Sequence, residues 1–185
     1  MREKIYGVIK TLLFVPFFIS VCLWTMEGTA PPKIHVKAPT PETILEQLHQ
    51  EALQRKYDIA EQVVDRVLRL HGCDTEWSEA VAHAAVNHGL NPRLMAGLVY
   101  VESTCRPNAV SGAKSVGLAQ INPRVWRNYT HEQLLNPYTN AEIGATILAG
   151  YVHRYGVTEG LHHYNGMGNP TDEYSEKVLS AAGLA

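Results

Sequence analysis

The chain has 185 residues, 45% of them hydrophobic and 18% charged, with a formal net charge of -2; this suits one compact domain with an appendage and excludes a low-complexity disordered chain. The 16 Lys and Arg residues against 18 Asp and Glu lack the basic excess of a protein that grips nucleic acid by bulk charge, so no nucleic-acid partner is expected. Three cysteines without a CxxC pair exclude a disulfide-dense mini-domain, a zinc knuckle and a thioredoxin-like centre.

In chain order, the first feature is a targeting signal. Arg2, Lys4 and Lys10 precede a charge-free apolar run, Thr11 to Met26, of about 16 residues, between the core of a signal peptide and a full membrane span of roughly 20. Residues 1–27 therefore read as a signal anchor or a signal peptide. Pro31, directly after the small-x-small candidate Gly28-Thr29-Ala30, weighs against cleavage. Positive charge ahead of the run places the N-terminus in the cytoplasm and the rest of the chain outside it; a cleaved chain is secreted. Residues 28–40 hold three of the ten prolines and read as an extended linker.

Residues 41–72 form an amphipathic helical segment. Thr40 caps it, Pro41 suits its first position, and Ile44, Leu45, Leu48, Ala52, Ile59, Val63, Val67 and Leu70 recur at helical spacing. It is one long helix or two joined near Lys56-Tyr57. Further helices are expected over Ser78 to His88, Pro92 to Ser103, Pro137 to Tyr155, Val157 to Tyr164 and Thr171 to Ala181, with Asn91-Pro92 and Asn136-Pro137 as cap pairs. No alternating pattern predicts a strand. Charge divides along the same lines. Residues 1–40 hold five bases and two acids, residues 41–80 four and nine, and residues 81–185 seven and seven.

The informative residue is Glu102. Met95, Leu98 and Val99 lie seven, four and three positions before it, which puts its carboxyl on the apolar face of its helix. Burial there raises a carboxyl's pKa and fits a general acid, whereas pairing with Arg93 or Arg106 makes it an ordinary helix-end glutamate. The nine histidines form no HExxH, His83 and His88 diverge on a helix and His162-His163 are adjacent, so no metal and no cofactor are expected.

The stretch VESTCRPNAVSGAKSVGLAQINP, Val101 to Pro123, resembles the catalytic segment of soluble lytic transglycosylases, peptidoglycan-cleaving enzymes of the lysozyme-like superfamily. Glu102-Ser103 matches the family's Glu-Ser pair; Pro107, Ala109 and Ser111 its Pro-x-Ala-x-Ser; Gly117-Leu118 and Gln120 its Gly-Leu-Met-Gln. Asn136-Pro137, Asn140 and Gly144 resemble its next helix, Tyr164-Asn165-Gly166 its closing motif, and Tyr174 falls where a last aromatic is common.

The resemblance implies an all-α, lysozyme-like domain over residues 73–185, glycan strands of peptidoglycan as substrate, and a domain held at the inner membrane and facing the periplasm or cell-wall space. It implies Glu102 as the catalytic acid, with Ser103, Ser111, Gly117, Leu118, Gln120, Tyr164 and Asn165 binding substrate and Tyr164 orienting Glu102 through its phenol. Ala119 replaces the family's methionine, which implies a wider groove, and Lys114 reads either as a contact for an anionic substituent or as an exposed loop residue. Ordinary glycoside hydrolysis uses two carboxylates, yet no aspartate lies between Asp74 and Asp172. The family chemistry needs only one, because the muramoyl C6 hydroxyl serves as nucleophile and leaves a 1,6-anhydro end. A goose-type muramidase and a non-catalytic peptidoglycan-binding scaffold are the alternatives. Cys73 and Cys105, both outside the cytoplasm in this topology, form a disulfide or remain two buried thiols.

Overall fold

The computed structural model describes residues 40–166 and 173–185; the expected anchor, most of the linker, and the start of the last helix at Thr171 lie outside them. Among the described residues seven helices run in order: α1 (Pro41–Leu70), α2 (Ser78–Asn87), α3 (Pro92–Ser103), α4 (His131–Leu135), α5 (Pro137–Tyr155), α6 (Val157–Tyr164) and α7 (Glu173–Ala182). Among the described residues there is no named strand, only isolated antiparallel bridges from Val116 to Val110 and to Ile121. None of the described helices is long and apolar enough to cross a membrane.

Cap chemistry sets the helix starts. The side chains of Asn91 and Asn136 accept from the backbone N–H groups of Arg93 (2.9 Å) and Thr139 (3.0 Å), and a proline follows each. Sequence periodicity missed α4, which has only five residues; it starts on a capping box in which Thr130 and Gln133 bond reciprocally.

The central element is α3. Its run Leu94 to Val99 is buried throughout, because α1, α2 and α7 all pack against it. Gly97 makes the closest approach: a Cβ there would lie 2.7 Å from the Val178 carbonyl and 2.8 Å from the Ala182 nitrogen of α7. Only a residue without a side chain lets the two helices come this near.

The buried face of α1 differs from the expected stripe. Ala60, Val64, Val67 and Leu68 are buried, whereas Ile44, Leu45, Leu48, Ile59 and Leu70 are exposed. The reason is that every residue from 41 to 52 is exposed and the residues α1 buries lie from 60 to 68, with Ile59 and Leu70 on the outer side of the helix. The helix is nonetheless continuous, with no break near Lys56-Tyr57. Residues from Pro39 to Ala185 form one compact unit.

A disulfide joins Cys73, just after α1, to Cys105, just after α3, with a Cα–Cα distance of 5.9 Å. Thr104 and Cys105 both have left-handed backbone, φ 52° and 62°, a conformation that costs a non-glycine residue roughly 1–2 kcal/mol. The covalent tie holds this turn, and α3 ends there.

Candidate active site

Glu102 sits in the last turn of α3, above the fully buried Met95, Leu98 and Val99. Burial is the largest influence on its carboxyl and pushes the pKa up; a hydrogen bond donated by the Tyr174 hydroxyl to Oε1 opposes this. Neither candidate arginine pairs with it. Arg93 donates to the Ala182 carbonyl (3.0 Å) and Arg106 to the Ser103 carbonyl (3.0 Å). The acid is therefore biased toward its protonated form, with a phenol ready to support the carboxylate once the proton leaves.

Tyr174 is the residue that motif reading undervalued. It stands on α7, 72 positions from Glu102, and only the packing of α7 on α3 joins them. Its own pKa is raised, first by burial and then by the Glu102 charge, so it remains a donor. Tyr164, expected to orient Glu102, instead donates to the Ala119 carbonyl at 2.8 Å. It too is pushed well above the usual tyrosine value, by burial and then by the Glu102 charge.

Two cavities meet at Glu102 and Gln120. The larger, about 400 Å³, carries Trp126, Ile147, Tyr151 and His163 on its walls, with Tyr164 and Asn165. The smaller, about 340 Å³, is bounded by Arg106, Asn108, Ala109, Val110 and Ser111. Among the described residues of both walls, Glu102 is the one carboxylic acid.

Four of the expected substrate-binding residues line this cleft: Ser111, Gln120, Tyr164 and Asn165. Gln120 donates to the carbonyls of Gly117 (2.9 Å) and Ala109 (3.2 Å), and Ser111 accepts from the Ser115 N–H (3.0 Å). The other three are turned elsewhere. Ser103 is buried, and its hydroxyl donates to the Val99 carbonyl one turn earlier (3.1 Å); Leu118 is core. Gly117 has φ 80° and is buried against Asn140, whose Nδ2 would lie 2.3 Å from a Cβ. Its missing side chain makes room for that asparagine.

Asn140 organises the loop. Its side chain accepts from the Ala119 N–H (2.7 Å) and donates to the carbonyls of Val116 and Leu134 (both 2.8 Å), with none of its surface exposed. This pins residues 116–119 to the start of α5, and the next residue, Gln120, is thereby delivered to the cleft. Ala119, which stands in place of a methionine, is also fully buried and lines neither cavity. Lys114 lies exposed in a turn and lines neither cavity.

The family model described as transglycosylase SLT domain matches residues 79–182. The chain belongs to the transglycosylase SLT domain family. Among its relatives, the transglycosylase of Enterobacteria phage PRD1 is 32% identical over 116 residues, covering 59% of this chain and 44% of that protein. The membrane-bound lytic murein transglycosylase E of Buchnera aphidicola subsp. Acyrthosiphon pisum (strain APS) is 26% identical over 108 residues, 52% of this chain and 46% of its own length. The chain thus spans less than half the length of these curated relatives. Glu102, Tyr174 and Asn140 all fall within the stretch matched to the SLT family.

Proposed function

We propose that the protein is a peptidoglycan lytic transglycosylase that cleaves the β-1,4 bond between N-acetylmuramic acid and N-acetylglucosamine. The observation that carries this reading is the single buried acid. Glu102 has a raised pKa and sits where two cavities meet, and no second carboxylate lines them among the described residues.

Protonated Glu102 donates to the glycosidic oxygen as the C1–O bond breaks, and the N-acetylglucosamine hydroxyl departs. The resulting carboxylate, supported by the Tyr174 O–H, then accepts the proton of the C6 hydroxyl as that oxygen bonds to C1. Glu102 is protonated again, a 1,6-anhydromuramoyl end has formed, and no water has entered. A two-carboxylate hydrolysis requires a second acid to activate water, and the described walls supply none.

The site of action is the cell envelope, with residues 1–27 as a membrane anchor and the domain outside the cytoplasm. The basic residues ahead of the charge-free run support this, as does the Cys73–Cys105 disulfide, a bond at home in oxidising compartments.

The deciding experiment is digestion of purified sacculi by the full chain, with mass analysis of the products. Anhydro ends are expected. Reducing ends, heavier by one water, would make the protein a muramidase, and intact glycan with bound protein would make it a scaffold.

A further inference from the structure

The cleft is asymmetric in charge. The larger cavity has aromatic and amide walls and neither lysine nor arginine among its described residues. The smaller one holds Arg106. That arginine is fixed at its neck, where both its backbone N–H and its Nε donate to the Ser103 carbonyl (3.3 and 3.0 Å). It follows Cys105, so the disulfide and the left-handed turn brace its backbone. Its terminal Nη groups bond to none of the described residues. Nor is its charge spent on the acid: the influences on Glu102 are burial and Tyr174.

A guanidinium held by its Nε, with its Nη groups bonded to none of the described residues, has the fork that receives a carboxylate. We propose that Arg106 recognises a carboxylate on the acid-bearing arm of a muramoyl residue, and so sets the register of the strand across Glu102. This rests on the peptidoglycan reading above. The glycan alternates a sugar with an acid-bearing arm and a neutral one, so a cation on one side of the acid distinguishes the two kinds of linkage. The carboxylate has two sources, the lactyl group itself in a peptide-free strand or the stem peptide attached to it.

The test measures binding by calorimetry with the full chain carrying Glu102→Gln, which prevents turnover. The probes are a peptide-bearing tetrasaccharide, its peptide-free counterpart with a free lactyl carboxylate, and neutral chitotetraose. Carboxylate-bearing glycan is expected to bind about tenfold more tightly than chitotetraose, the size of one charge-assisted contact. Adding Arg106→Gln is expected to abolish that preference and leave chitotetraose binding unchanged, whereas Arg106→Lys keeps part of it, since charge remains without the fork. The glycan that loses affinity identifies the source of the carboxylate.

Absence of the preference, its survival in Arg106→Gln, or equal losses on all three probes would overturn the proposal. Reducing ends in the sacculus digest would overturn the lytic mechanism while leaving this binding contrast intact, so the two failures are distinguishable.

Discussion

The first half of α1 and the whole of α3 carry similarly spaced apolar side chains, yet one lies in water and the other at the centre of the molecule. Ile44, Leu45 and Leu48 of α1 are exposed, and Glu42 beside them has its pKa lowered, first by a backbone hydrogen bond and then by Thr40. In α3 the same periodicity is enclosed by three helices, and Glu102 is displaced in the opposite direction, by burial. Amphipathic spacing makes burial available, and a partner has to realise it. Chemistry follows the partner, because a carboxyl becomes a proton donor near neutral pH only where water has been removed from around it.

Substitutions sharpen this contrast. Glu102→Gln is expected to lower the rate of anhydro-product formation by about 10³-fold, within the span of general-acid effects, while Glu42→Gln leaves it unchanged; both are read by product release from sacculi. Stability moves the other way. With a pKa raised in the folded state, Glu102 contributes fully below its unfolded value and loses that contribution as pH rises through the folded value. Glu102→Gln is therefore expected to raise Tm at pH 7, with the gain vanishing below about pH 4. A gain that persists in acid would contradict the burial argument.

Next in size is the brace behind the acid. Cys73→Ser, or reduction of the wild type, is expected to cost about 3–4 kcal/mol in urea unfolding, given a separation of 32 residues. Reductant is expected to have no further effect on Cys73→Ser.

Tyr174→Phe removes the contact that lowers the Glu102 pKa. A loss of about tenfold in kcat, the worth of one hydrogen bond to a charged group, is expected with KM nearly constant. The basic limb of the pH profile should move upward. Tyr164→Phe, which loses only a bond to the Ala119 carbonyl, should not move that limb.

The smallest effect belongs to the exposed arm. Leu45→Ser with Leu48→Ser is expected to change stability by less than about 0.5 kcal/mol, against about 3 kcal/mol for Leu68→Ala in the buried half of the same helix. A large loss from the first pair would mean that the arm packs on something.

How far these features were legible depended on how local their causes are. Asn91-Pro92, Asn136-Pro137 and Thr40-Pro41 announce their helices because a cap acts within three residues. Glu102 was legible too, since Met95, Leu98 and Val99 lie within two turns of it. Motif matching placed Ser103, Leu118 and Gly117 at the right loop and helix end, but adjacency to an acid does not say which way a side chain faces. All three face inward. Choosing between Tyr164 and Tyr174 required the docking of α7 on α3, which no local pattern encodes. Arg106 entered the reading only as a partner for Glu102; its actual bond, to the Ser103 carbonyl, left its outer end facing the cleft.

Gly97 lies five residues before Glu102 on α3 and meets Val178, four residues after Tyr174 on α7. The two helices run in opposite senses, so the gap that this glycine permits is also the gap the phenol must cross. A methyl group at position 97 would wedge the helices apart and draw Tyr174 away from the carboxylate. How near the phenol comes to the acid is thus set by a hydrogen atom deep in the core, on a residue that lines neither cavity of the cleft.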